Sequence, residues 1–139
     1  MSLFFAKKDR KVQNYVLKLV NTNCPGLKAS EDGPRLSSRV NLVVVVTVVP
    51  VQGGKLSASE VFQTVTREFS NTGVSLVLNG PIALDEVILG FRAFGESTFI
   101  RAKAKHCNPM GGNFYQMGFK LIEMVTPADY PELPSLIHR

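Results

Sequence analysis

Tryptophan is missing from this chain, and cysteine and histidine occur only twice each in its 139 residues. Each scarcity removes a class of function. Cys24 and Cys107 are too few for a disulfide framework and lack metal-ligand spacing, so ordinary reduced thiols are expected. His106 and His138 leave little imidazole for general-base or metal chemistry, and a histidine in a strand is expected to be a hydrogen-bonded barrel residue. No GxSxG elbow and no glycine-rich phosphate loop is present. Asp85 and Glu86 are adjacent carboxylates, but neighbours on a strand point to opposite faces and make no acid–base pair. The chain is therefore not expected to be an enzyme. Long apolar runs are missing too. The most apolar stretch, Val40 to Val51, falls well short of the roughly 20 residues of a membrane span. Met1 to Ala6 is mildly apolar but precedes Lys7-Lys8, the reverse of a secretory signal. A soluble, cytoplasmic protein is the expectation.

Acidic residues are scarce in one region only. Residues 1–39 carry eight lysines and arginines against three acids, whereas residues 40–139 carry eight of each. The whole net charge of +5 thus sits on the leading segment. A clustered excess of this kind attracts anions, although most of these lysines read equally well as a solvated helix face.

Within that segment, residues 10–21 place Val12, Tyr15, Val16, Leu19 and Val20 at helical spacing. This predicts an amphipathic helix whose apolar stripe packs on a barrel or on a second copy of the chain. Residues 21–34 are rich in Asn, Pro, Gly, Ser and Asp and read as a linker.

The character then changes. Arg39 to Val49 is dominated by valine, and its apolar residues fall on both faces, which predicts a strand covered on both sides. Further strands are predicted at Val61–Phe69, Val74–Leu78, Glu86–Ala93, Thr98–Cys107 and Phe114–Met124. In the second, Phe62, Thr64, Thr66 and Glu68 share one face. Asn108 to Asn113 reads as a long hairpin loop, and in the last strand Tyr115, Met117, Phe119 and Leu121 share a face. Six strands joined by short glycine-containing turns indicate an all-β fold, an antiparallel six-stranded barrel. The tail from Thr126 to Arg139 contains three prolines and is expected to hold one or two helical turns.

Two short signatures carry the chemistry. The first is Arg35-Leu36-Ser37-Ser38-Arg39, an RxxxR element just before the valine-rich strand. Each guanidinium offers five donors in a planar fork, able to grip a phosphate or the O6/N7 edge of guanine and to stack on a purine. Arg35 and Arg39 span at most about 14 Å if extended and about 6 Å in a helical turn, either of which suits a compact dinucleotide. The second is Glu68-Phe69-Ser70-Asn71-Thr72-Gly73, an acid-x-Ser-x-x-Gly turn between strands. Its carboxylate can accept from guanine N1 and N2, and the Ser70 hydroxyl can donate to phosphate. Gly73 allows positive φ and leaves room for a ligand to approach the backbone.

In this order and context, the signatures resemble the PilZ domain, the bacterial receptor module for cyclic di-GMP. The likeness runs from about Pro34 to Met124 and includes Tyr115-Gln116-Met117-Gly118-Phe119 in the final strand. It implies a PilZ-like β-barrel over residues 34–124, preceded by a short helix and basic arm (1–33) and followed by a short helical tail (125–139). It also implies cyclic di-GMP as ligand with no other cofactor. The implied contacts are Arg35, Arg39, Glu68, Ser70 and Gly73, with Gly118 and Phe119 structural. Glu68 stands where the family has Asp or Asn. The expected output is ordering of the N-terminal arm, read by a downstream protein, and the apolar stripe leaves a homodimer open. Two alternatives accompany this reading. One is a PilZ-like adaptor that does not bind nucleotide and acts through protein contacts. The other is a single-stranded nucleic-acid-binding barrel using Lys103 and Lys105 beside Phe99 and Arg101.

Overall fold

The computed structural model describes residues 3–23, 39–80 and 82–137. A helix, α1 (Leu3–Asn23), precedes eight strands: β1 (Val40–Asn41), β2 (Val45–Gln52), β3 (Lys55–Leu56), β4 (Phe62–Phe69), β5 (Gly73–Asn79), β6 (Glu86–Ala93), β7 (Glu96–Gly111) and β8 (Phe114–Val125). A short helix, α2 (Leu133–Ile137), follows. All pairings are antiparallel. β4 pairs with β5, β5 with β8, β8 with β7, β7 with β6, β6 with β2, and β2 back with β4. That ring is a closed six-stranded barrel with the strands the sequence predicts, and closure leaves β1 and β3 as two-residue additions.

Apolar alternation fills the inside. Val46 and Val48 of β2, Leu76 and Leu78 of β5, Leu89 and Phe91 of β6, and Phe119 and Leu121 of β8 are all buried in one cluster. The predicted helical stripe joins them: Val12, Val16, Leu19 and Val20 are at most 2% exposed and belong to that same core. Each such side chain contributes about 1.5–3 kcal/mol by leaving water. The stripe therefore packs on the chain's own barrel. The helix is also longer than the predicted 10–21, reaching back to Leu3. A second cluster lies outside the barrel, where Val49, Val51, Ile88, Phe99 and Val125 are covered by Leu133 and Leu136 of the tail. This is why β2 is apolar on both faces.

Three departures from the sequence reading have local causes. The first predicted strand is broken at residues 42–44, because Val40–Asn41 pair with Phe69–Glu68 while Val45–Val48 pair with Val65–Phe62, one residue out of step. Strand β2 then runs through Pro50 to Gln52. The Pro50 carbonyl accepts from Ser57 N–H at 2.8 Å. A strand residue's nitrogen and oxygen point the same way, so the missing N–H faces the β3 side, beyond the end of the β4 ladder, where it costs no sheet bond. Finally, Asn108–Asn113 is no loop. β7 and β8 continue to Gly111 and Phe114 and are joined by Gly112-Asn113 alone, both at positive φ (60° and 67°), as a two-residue type I′ turn requires.

Candidate functional site

The site begins with a bulge in β4. Thr66 faces Leu76 and Glu68 faces Ser75, so Arg67 is the extra residue between them. One extra residue inverts the alternation downstream. Without it Glu68 would follow Phe62, Thr64 and Thr66 inward. With it Phe69 enters the core at 1% exposure, and the Glu68 side chain stays 24% exposed on the outer wall. The Ser75 hydroxyl holds this arrangement by accepting from Glu68 N–H at 3.1 Å. The loop after β4 is closed by Ser70 N–H donating to the Gly73 carbonyl at 2.9 Å.

Arg39 is brought to the same place by β1. Val40 and Asn41 pair with Phe69 and Glu68, and Leu42 N–H donates to the Arg67 carbonyl at 3.1 Å. The buried Thr66 hydroxyl pins the break that follows, donating to the Leu42 carbonyl at 2.6 Å and accepting from Val44 N–H at 2.9 Å. The Arg39 guanidinium consequently lies 4.0 Å from the Glu68 carboxylate, while its side chain remains 72% exposed. An exposed pair at that separation is worth little and leaves the guanidinium available to a ligand.

Four of the five residues named from the sequence, Arg39, Glu68, Ser70 and Gly73, thus line one open cleft of about 280 Å³. Arg35 lies outside the described residues. One assigned role changes. Gly73 is not at positive φ, and a Cβ there would meet the Phe119 carbonyl oxygen at 2.9 Å. Glycine is required by the neighbouring strand β8.

The opposite wall was not found from sequence. It comprises Lys105 and His106 of β7 and Gln116, Gly118 and Lys120 of β8. Gly118 and Lys120 alternate with the core residues Met117, Phe119 and Leu121, so they point out of the barrel. A bulge between Ala104 and His106 makes Lys105 the extra residue of β7. His106 is exposed at this cleft, not a residue of the barrel interior. Gln116 is held by Arg67, whose Nη1 donates to its Oε1 at 2.6 Å. Alternation across β8 was legible in Tyr115, Met117, Phe119 and Leu121; that its other face forms a wall was not.

The charged side chains lining the cleft are Arg39, Lys105 and Lys120 against Glu68, with the His106 imidazole beside them. The balance favours an anion. The groups invoked for a nucleic-acid surface are not assembled this way. Phe99 is 4% exposed beneath the tail, and Arg101 donates to Glu86 at 2.7 Å and Glu123 at 3.0 Å. Partial burial opposes the charge of Arg101, but these two carboxylates more than offset it and hold the guanidinium above its ordinary range. Among the described residues no group of three or more His, Cys, Asp or Glu could hold a metal ion. No described helix is long and apolar enough to cross a membrane.

No family model matches the chain. No curated protein matches it either. Among solved structures it is similar to MotI/DgrA, the inhibitor of motility of Bacillus subtilis, at 18% identity and a TM-score of 0.49, over 73% of this chain and 48% of that one. The chain spans about half the length of that protein. It is also similar to the PilZ domain of CeSA from a cellulose-synthesizing bacterium, at 18% identity and a TM-score of 0.46, over 73% of this chain and 96% of that chain. The second carries the name of the family that the two signatures resemble; neither likeness assigns a ligand.

Proposed function

We propose that the cleft is a receptor site for cyclic di-GMP. One observation carries the reading: residues named from two separated signatures, Arg39 from the first and Glu68 and Ser70 from the second, meet on a single open cleft with a cationic lining. Arg39 takes a phosphate or a guanine O6/N7 edge, and Arg35 is assigned the second such contact. The Glu68 carboxylate accepts from guanine N1 and N2, donors that no guanidinium can satisfy. Its longer side chain starts from a bulged backbone, which gives it the outer wall to work from. The Ser70 hydroxyl donates to phosphate. Charge-assisted bonds of this kind are worth about 1.5–3 kcal/mol each, so a few of them outweigh the ordering cost of binding. The signal is the fixing of the segment that carries both arginines, an order–disorder step available to a downstream protein.

Titration calorimetry with cyclic di-GMP tests the reading. Wild type is expected to bind, and Arg39→Ala to weaken binding about tenfold or more, on the scale of one lost charge-assisted contact. Arg35→Ala/Arg39→Ala is expected to abolish it. The Arg39–Glu68 ion pair favours one rival, an adaptor whose motif residues satisfy each other without nucleotide. Absence of binding heat in wild type would establish that rival.

A further inference from the structure

The least ordinary contact in the cleft is between His106 and Gly118. They face each other across the β7–β8 ladder. A Cβ on Gly118 would stand 2.5 Å from His106 Cε1, 2.7 Å from Nε2 and 3.2 Å from Nδ1. Such a point lies over the ring face. Off the ring edge, both nitrogens would be much farther than the carbon between them. The imidazole therefore lies flat on the glycine backbone, in a space that any other residue would fill. Its position is set by the strand on one face, while the side chain is exposed and lines the cleft. Lys105 and Lys120 line the cleft beside it, and Arg39 and Glu68 come from β1 and β4.

We propose that His106 is a further ligand-contacting residue: a flat platform seated on Gly118, on which one purine of the bound dinucleotide stacks between the Lys105 and Lys120 ammonium groups. The inference rests on the receptor reading and adds to it a wall that neither signature contains. A planar ring fixed on one face and open on the other loses little freedom when a base covers it, which is what makes an aromatic platform effective.

Calorimetry with cyclic di-GMP on wild type and two variants of this exposed residue tests the platform. His106→Phe should keep about the affinity of wild type, because a flat ring survives there. His106→Ala should weaken binding about tenfold, a typical loss for one stacked base. If wild type binds but His106→Ala binds equally well, or His106→Phe loses as much as His106→Ala, the platform is wrong and the receptor reading stands. If wild type does not bind, both fall together. Circular dichroism of each variant verifies that the barrel is intact.

Discussion

Two glycines at the cleft answer to different neighbours, and substitution separates them. At Gly73 a new Cβ meets a backbone oxygen, Phe119 O, at 2.9 Å and the Ser70 Oγ at 3.3 Å. Backbone cannot swing aside, so β5 must part from β8 at the mouth of the cleft. Gly73→Ala should cost about 1–3 kcal/mol in urea unfolding and weaken ligand binding as Ser70 is displaced. At Gly118 the obstruction is the His106 ring, a side chain that can rotate away, so Gly118→Ala should leave stability nearly unchanged. Its expected effect is on affinity alone. Tyr15 offers a third residue-scale case. Its hydroxyl is buried without a partner in hydrogen-bonding geometry, and its ring leans on Phe91 and Phe94. Burial raises the phenol above its ordinary value of 10.0; Thr98 nearby pulls it down in part, and Glu96 pushes it up. Above about pH 10 the unfolded chain releases this proton while the folded chain keeps it, so stability falls as pH rises through that range. Tyr15→Phe should shallow that alkaline decline without lowering stability at pH 8, as urea midpoints at pH 8 and pH 11 would show. What residue identity conveyed here was position more than cause. Gly73 was marked by its motif, but the atom that demands it belongs to a strand remote in sequence.

Among the elements, apolar and β-branched runs between glycine-containing turns located all six barrel strands, and a period of two was legible in β4 and β8. What a period of two cannot carry is a bulge. The extra residues Arg67 in β4 and Lys105 in β7 invert the alternation beyond them; Lys105 lines the cleft, and Arg67 precedes Glu68, which does. That is why Glu68 was legible as a motif residue yet grouped on one face with Phe62, Thr64 and Thr66, and why Lys105 and His106 were not assigned to the site. The break between β1 and β2 was hidden for a similar reason: valine favours strand whether or not its ladder is continuous. Thr66 holds that break through bonds to Leu42 and Val44 on the segment that delivers Arg39. Thr66→Val keeps the shape and removes both bonds, leaving one carbonyl and one N–H without their partner. A loss of about 1–3 kcal/mol is expected in urea unfolding. The same variant should weaken cyclic di-GMP binding although Thr66 is buried and does not line the cleft. A stability loss with unchanged affinity would show that Arg39 is positioned by something other than this anchor.

For the molecule as a whole, the position of α1 decides which steps a signal can use. Its stripe is not merely laid against the barrel. Val16, Leu19 and Val20 are at most 1% exposed within the cluster that contains Phe69 and Phe119, whose chain neighbours Glu68, Ser70, Gly118 and Lys120 form the cleft walls. Two grips hold its outer side, with Lys18 Nζ 4.2 Å from the centre of the Phe94 ring and Tyr15 edge-on to it. Phe94 itself sits at a φ of 59° in the β6–β7 turn, a conformation costing a bulky residue about 1–3 kcal/mol that these contacts help offset. Helix and barrel should consequently unfold as one unit. Leu19→Ala should lower stability by about 2–5 kcal/mol, with far-ultraviolet circular dichroism and tyrosine fluorescence still reporting a single shared midpoint. The same shared core restricts the proposed relay. A helix already seated in the core gains little from ligand, so the proposed response to cyclic di-GMP would lie outside it. Hydrogen exchange should slow in residues 25–40 on adding cyclic di-GMP and stay unchanged in α1 from Val12 to Val20. Slowing throughout α1 would mean instead that the helix leaves the barrel in the free protein and docks with the ligand, making the whole element the switch.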